Sequence, residues 1–221
     1  MCGYQVCHMK AKIDAIIQPE QAEYLDGLLS QNDPLLAEME AYAAEHRVPI
    51  ADREVARFVE ISARISGARK ALEIGMAIGY TVIHLARGMS KKGRVVTIEP
   101  NDEMIHAATG FLNRAGVLDQ VEIENGKALE VMRNLEETFD LLFIDAVKEE
   151  YSHYLDLGLQ RLRSGGVVIV DNLLWGGKVA TGDMASSTVG LREFNPYFIN
   201  HPELIAEVLA VGDGLGYGVK L

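Results

Sequence analysis

The sequence predicts an α/β protein whose mainly parallel sheet is covered by helices on both faces and finishes in an antiparallel edge. Three observations lead there. Five apolar, strand-like runs recur between residues 70 and 172. Each is joined to the next by a segment whose apolar residues stand three and four apart, the helical period. The last two runs meet at Gly212-Asp213-Gly214, a hairpin signal. Strands in series joined by helices lie parallel, because the crossover returns the chain to the same end of the sheet.

Taken in order, the first seventy residues predict three helices, over 19–31, 33–47 and 52–66. Asn32-Asp33-Pro34 is a cap-and-start signal for the second, and Val48-Pro49-Ile50 interrupts the pattern before Asp52 restarts it. Strands follow at 70–75, 94–100, 121–126, 139–146 and 166–172, with helices at 80–89, 102–116, 128–135 and 151–163. A last helix over 192–202 stops at Pro202, before the strand-like runs 205–214 and 215–221. The expectation is one domain over 1–221, with N-terminal helices over 1–69 and an α/β core over 70–221.

At 221 residues, 48% of them hydrophobic, the chain can bury a substantial core without covalent staples. Its net charge of −11 repels polyanions, so nucleic acid or an anionic membrane would need a local basic patch. No Lys/Arg run exceeds the pair Lys91-Lys92. Cys2 and Cys7 are the only cysteines, too few for a disulfide framework or a zinc site, and the scattered histidines form no i, i+4 pair. The N-terminus has no apolar stretch of signal-peptide length, and nowhere do 18 apolar residues run together. A cytoplasmic protein with no membrane partner is expected.

The stretch "EIGMAIGY" puts Gly75 at the end of the first strand and Gly79 at the start of the next helix. Such a turn brings a ligand against backbone N–H groups at a helix N-terminus, although glycine in a tight connection also serves structure alone. Glu99 ends the second strand, where a carboxylate would accept from both hydroxyls of a ribose or would instead cap the following helix. Turn and acid together favour a nucleoside ligand. No G-x-x-x-x-G-K-S/T pattern is present, so a nucleoside triphosphate is not expected.

The fourth and fifth strands run into Asp145 and Asp171, at neighbouring strand ends separated by roughly 5 Å. Two converging carboxylates repel, and one is driven toward protonation unless a cation lies between them. Asn172 adds a neutral oxygen, and the all-oxygen set suits Mg²⁺, with Mn²⁺ and Ca²⁺ as alternatives. Lys148, against such an ion, would lose its proton readily and act as a base; on an exposed loop it would be a solvated charge. Either aspartate alone reads equally well as a helix cap. The pair, with the amide and the lysine, favours the ion.

These segments resemble the class I S-adenosylmethionine-dependent O-methyltransferases, in particular the divalent-metal-dependent catechol and caffeoyl-CoA enzymes and their bacterial relatives. "LEIGMAIGYT" is similar to their first cofactor motif, "VVTIEP" to the ribose-binding segment, and "LLFIDAVKEEY" and "VVIVDNLLWGGKV" to the metal and catalytic segments. The resemblance implies a Rossmann-like fold with a seven-stranded sheet. It implies S-adenosylmethionine at Glu73, Gly75, Gly79, Thr81, Glu99, Ala128 and Asp145, and Mg²⁺ at Asp145, Asp171 and Asn172. Lys148 would be the general base, with Asp145 and Asn172 beside it in the catalytic group. The implied reaction is methyl transfer to a hydroxyl of a phenolic or catechol-like small molecule, by a homodimer. Two positions depart from the pattern: Val147 stands where members often have aspartate, and Gly126-Lys127-Ala128 where many read G-D-A. Met76 and Trp175 would line an aromatic pocket or pack in the core.

Within the same group, "MEAYAAEHRVPI" and "REFNPYFINHPELIAEVLAVGDGL" are similar to bacterial enzymes that methylate 5-hydroxyuridine in transfer RNA. That reading ranks second, because residues 176–195 hold only Lys178 and Arg192 as bases and the chain is acidic. A non-catalytic cofactor sensor ranks third, since it would need neither the lysine nor the ligands.

Overall fold

The computed structural model describes residues 19–29 and 33–221; Cys2, Cys7, His8 and Asn32 of the start signal lie outside the described residues. Strands β1 (Lys70–Ile74), β2 (Arg94–Glu99), β3 (Val121–Asn125), β4 (Phe139–Ile144), β5 (Leu162–Val170), β6 (Leu204–Leu209) and β7 (Leu215–Lys220) form one sheet in the order β3-β2-β1-β4-β5-β7-β6. The first five are parallel, and β7 runs antiparallel to both β5 and β6. This is the expected Rossmann-like sheet with its antiparallel edge. The chain moves outward from β1 to β3, then returns to the other side of β1 as β4. Crossovers leave β1 and β4 in opposite directions there, which opens a crevice beyond their carboxyl ends.

Helices α2 (Pro34–His46), α3 (Arg53–Ile65), α4 (Tyr80–Gly88) and α5 (Asp102–Arg114) cover one face. The other carries α6 (Ala128–Asn134), α7 (Tyr151–Arg161) and α8 (Ser186–Ile199). Helix α1 (Pro19–Leu28) belongs to a compact unit separate from residues 31–221. Strand residues alternate between the two cores: Ala71, Val95, Leu141 and Ile169 enter the first, while Leu72, Val96, Leu142 and Val168 enter the second. Burial on both sides is why these strands read as apolar runs without polar alternation.

Asp33 accepts from the N–H groups of Leu35 and Leu36 and Pro34 stands in the first turn of α2, as the start signal predicts. Two boundaries differ from expectation. The helix expected over 192–202 runs over Ser186–Ile199, with Pro196 inside it. Full burial of Thr188, Leu191, Phe194 and Phe198 holds a segment whose serines and glycine are weak helix formers. Strand β5 starts at Leu162 rather than 166, because Leu162 pairs with Phe139 ahead of an irregularity in register, and α7 accordingly stops at Arg161. Among the described residues no helix is long and apolar enough to cross a membrane.

Candidate functional site

Beyond the carboxyl ends of β1, β2 and β4 lies an open cavity of about 550 Å³, a size that suits a small organic ligand. Gly75, Thr81, Glu99, Asp145, Lys148 and Asn172 line it, as do Met76, Trp175 and the Pro49–Ala51 connection between α2 and α3. Glu73, Gly79, Ala128 and Asp171 stand outside its walls. Six of the ten residues assigned from sequence to the cofactor, the ion or catalysis therefore meet at one opening.

The glycine turn is built by close approach. Gly75 has φ +95°, and a Cβ there would lie 2.0 Å from the Asp145 carbonyl oxygen. The Asp145 N–H donates to the Ile74 carbonyl at 2.9 Å, so the turn packs directly on the backbone that carries Asp145. Gly79, at φ +82°, opens α4 against Ala108 and Leu112 and serves the helix packing. Glu99 is no helix cap: its Oε2 accepts from the Ala77 N–H and its Oε1 from the Asn101 N–H, both at 3.0 Å, while Asn101 caps α5. It ties the turn to the end of β2, with lone pairs left for a ligand hydroxyl. Ala128 opens α6 and packs against the second core.

Glu73 is fully buried; its Oε2 accepts from the Thr97 hydroxyl and its Oε1 has no hydrogen-bond partner. Burial, with the charges of Asp145 and Glu99, pushes its carboxyl up to about 8 despite the Thr97 bond. The native chain thus holds this proton more tightly than the unfolded chain, and the stability this contributes is lost as pH rises through the folded value. Glu73→Gln escapes that loss. Its stability relative to the parent should climb by roughly 1–3 kcal/mol between about pH 5 and pH 8. Thermal melts of both proteins across that range check this, and parallel curves would show that Glu73 holds no proton.

Lys148 sits in a single 3-10 turn, Lys148–Glu150, just after β4, and is only 8% exposed. Its Nζ donates to Asp145 Oδ1 at 2.8 Å, to Asn172 Oδ1 at 2.6 Å and to the Tyr151 hydroxyl at 2.7 Å. Each N–H of the ammonium has its own acceptor. Asn172 reaches the lysine from a left-handed conformation, φ +66°, with its N–H donating to Asp171 Oδ1 at 2.7 Å. After glycine, asparagine is among the residues that most readily adopt this conformation, so the turn beyond β5 aims the amide at the lysine at little cost. Neither aspartate caps a helix: the 3-10 turn after β4 and α7 start from Val147 and Glu150, and the turn at Trp175–Ala180 from Leu174, all without a side-chain cap.

Tyr151 has no counterpart among the sequence candidates. It follows Lys148 by three residues, a helical spacing that was visible, but spacing does not reveal that its ring is buried. Burial, then the charges of Asp145 and Asp171, hold its phenol well above the usual range, so it stays neutral.

Asp171 is 2% exposed, and burial together with the Asp145 charge pushes its carboxyl up to about 8. A buried carboxylate driven toward protonation by a second one is the condition a hard cation relieves. Among the described residues no three acidic, histidine or cysteine side chains are grouped so as to hold a metal ion by themselves. An ion at these strand ends would rest on two carboxylates and the Asn172 amide oxygen, a donor set that fits Mg²⁺ chemistry.

Comparison with known proteins shows the family and the fold. A family model described as O-methyltransferase matches residues 27–221. The chain is 34% identical over 194 residues to a catechol O-methyltransferase of Mycobacterium tuberculosis, across 86% of this chain and 88% of that protein. It is 32% identical over 179 residues to one from Niastella koreensis, across 78% and 81%. Among solved structures, an O-methyltransferase from Bacillus cereus in complex with SAH superposes with a TM-score of 0.81 at 32% identity, covering 90% of this chain and 96% of that one. TomG from Streptomyces achromogenes, in complex with SAM, gives 0.81 at 30% identity, covering 90% and 94%. With the family's pattern matched over nearly the whole chain, this protein belongs to the O-methyltransferase family.

Proposed function

We propose that the protein transfers a methyl group from S-adenosylmethionine to one hydroxyl of a catechol-like small molecule, with a divalent ion, Mg²⁺ foremost, in the cytoplasm. The observation that carries this reading is Lys148 Nζ, held 2.8 Å from Asp145 and 2.6 Å from Asn172 at the edge of the cavity that Glu99 also lines. The catechol O-methyltransferases among its relatives and the SAM and SAH complexes among its structural neighbours support the substrate class and the cofactor.

Gly75, Thr81 and Glu99 would hold the cofactor, Glu99 through the ribose hydroxyls. Asp145, Asp171 and Asn172 would hold the ion. Bound S-adenosylmethionine supplies an electrophilic methyl, and a bound divalent ion supplies Lewis acidity that lowers the pKa of an acceptor hydroxyl. The protein's own work is placement and proton removal. Lys148 takes the proton from the acceptor hydroxyl. Its Nζ lies 5.4 Å from the centre of the Trp175 ring, so an aromatic acceptor resting on that indole has a hydroxyl within reach of the base. Met76 and the Pro49–Ala51 connection add apolar walls that hold the acceptor for attack, the largest gain available from positioning alone.

A small acceptor is favoured over transfer RNA by the two bases of residues 176–195. Arg192 donates to the backbone carbonyls of Val179, Thr181 and Asp183, and Lys178 lies 5.9 Å from the Trp175 ring. The arginine is committed to holding its own loop. Methyl transfer from S-adenosylmethionine to catechol should be seen with Mg²⁺ and should fall by roughly a hundredfold or more with excess EDTA. Cofactor binding without any product would overturn this reading, and saturable binding of unmodified transfer RNA at low salt would put the RNA substrate first.

A further inference from the structure

We propose that Tyr151 is a positioning residue of this site, one that holds the Lys148 amine in the orientation proton removal requires; the inference rests on the function proposed above. The ring is fixed from the core side. It is fully buried at the first residue of α7 and packs edge-on against Phe194, with centroids 5.4 Å apart and planes at 81°. Its hydroxyl donates to the Asp171 backbone carbonyl at 3.2 Å, which commits its single O–H and leaves a lone pair facing Lys148 Nζ at 2.7 Å. The polarity of the lysine contact is therefore set: the tyrosine accepts.

Three oxygens surround Nζ, and two of them belong to Asp145 and Asn172, the residues that would hold the divalent ion. The Tyr151 oxygen is the one of the three that belongs to neither, and it meets Nζ from the buried side. A hold from the core side fixes where Nζ stands at the cavity edge, where the acceptor proton arrives. The same hydroxyl joins the lysine, which follows β4, to the backbone at the end of β5, so it also sets the base relative to Asn172. The sequence "KEEY" places the tyrosine three residues after the base, on the next turn of helical backbone.

Phenylalanine would keep the ring packing and remove only the hydroxyl. In the full-length protein with Mg²⁺, S-adenosylmethionine and catechol, Tyr151→Phe should lower kcat roughly tenfold, the scale of one hydrogen bond to a reacting amine. The KM for S-adenosylmethionine should stay within about twofold. In a Lys148→Ala background the same change should alter the residual turnover by less than about twofold, because a residue acting through Lys148 has nothing left to position. An equal loss in both backgrounds, as a purely structural role would give, overturns the inference, and so does an unchanged kcat in the parent. Crystals of Tyr151→Phe grown with Mg²⁺ and S-adenosylmethionine should show Lys148 Nζ moved from its parental position; an unmoved lysine counts against the proposal. A parent that binds cofactor and methylates no catechol defeats the proposed function and this inference together. An active parent with additive substitutions defeats the role of Tyr151 alone.

Discussion

Lys148→Ala should lower kcat for catechol methylation by roughly 10²- to 10⁴-fold, the usual contribution of a positioned general base, while S-adenosylmethionine affinity changes by less than about twofold. The reasoning starts from cost. A lysine that is 8% exposed is tolerated because three oxygens meet its three N–H groups, all within 2.8 Å. None of these partners is Glu99 or the glycine turn, so removal of the amine leaves the proposed ribose-binding edge intact. Lys148→Arg separates two roles for the charge. A guanidinium keeps the positive charge but does not deprotonate near neutral pH, so it should fail to restore turnover if Lys148 is the base. Substantial rescue by arginine would recast Lys148 as an electrostatic support. Stopped-time product assays together with calorimetric cofactor binding decide between the two.

The chemistry at the strand ends was legible because it depends on local pattern. A doubly buried strand shows as an apolar run, and a charge at its carboxyl end stands out against it, as Asp145 and Asp171 do after β4 and β5. The sheet makes β4 and β5 the expected neighbours, and their register places the two aspartates one step beyond Ile144 and Val170. Depth was not legible. Glu99 stands on the cavity wall because it ends β2, whereas Glu73, paired with Thr97 on the same face of the sheet, lies two residues deeper and behind the turn, a difference in depth that only the packed sheet shows. Asp171 is likewise closed over, although the pattern treats it as the equal of Asp145. The start of α8 escaped for a related reason: Ser186, Ser187 and Gly190 disfavour helix, and burial of Thr188 and Leu191 overrides them. Tyr151 escaped because its proposed role is carried by a hydroxyl contact across two strand ends, which no spacing encodes.

Gly75→Ala should destabilise the fold by about 2–4 kcal/mol and weaken S-adenosylmethionine binding by roughly a hundredfold or more, a large effect for one methyl group. The cause is backbone against backbone. At φ +95° the new Cβ would stand 2.0 Å from the Asp145 carbonyl oxygen and 2.9 Å from its carbon. That carbonyl cannot swing aside cheaply, since the Asp145 N–H is held by Ile74 at 2.9 Å and the Gly75 N–H by Ile98 at 3.1 Å. Relief requires the ends of β1 and β4 to part. Those ends carry Glu99's partner turn on one side and Asp145 and Lys148 on the other, so the cofactor edge and the base would shift together. Gly110 is the matched control: it lies in α5 with nothing within 4 Å of where a methyl would stand, and alanine there should add about 0.5–1 kcal/mol of stability. Thermal melts of both variants and calorimetric titration with S-adenosylmethionine test the contrast. Parental affinity in Gly75→Ala would remove this turn from the cofactor site, whereas a loss confined to Gly75 ties cofactor binding to the closeness of the β1 turn and the backbone of Asp145.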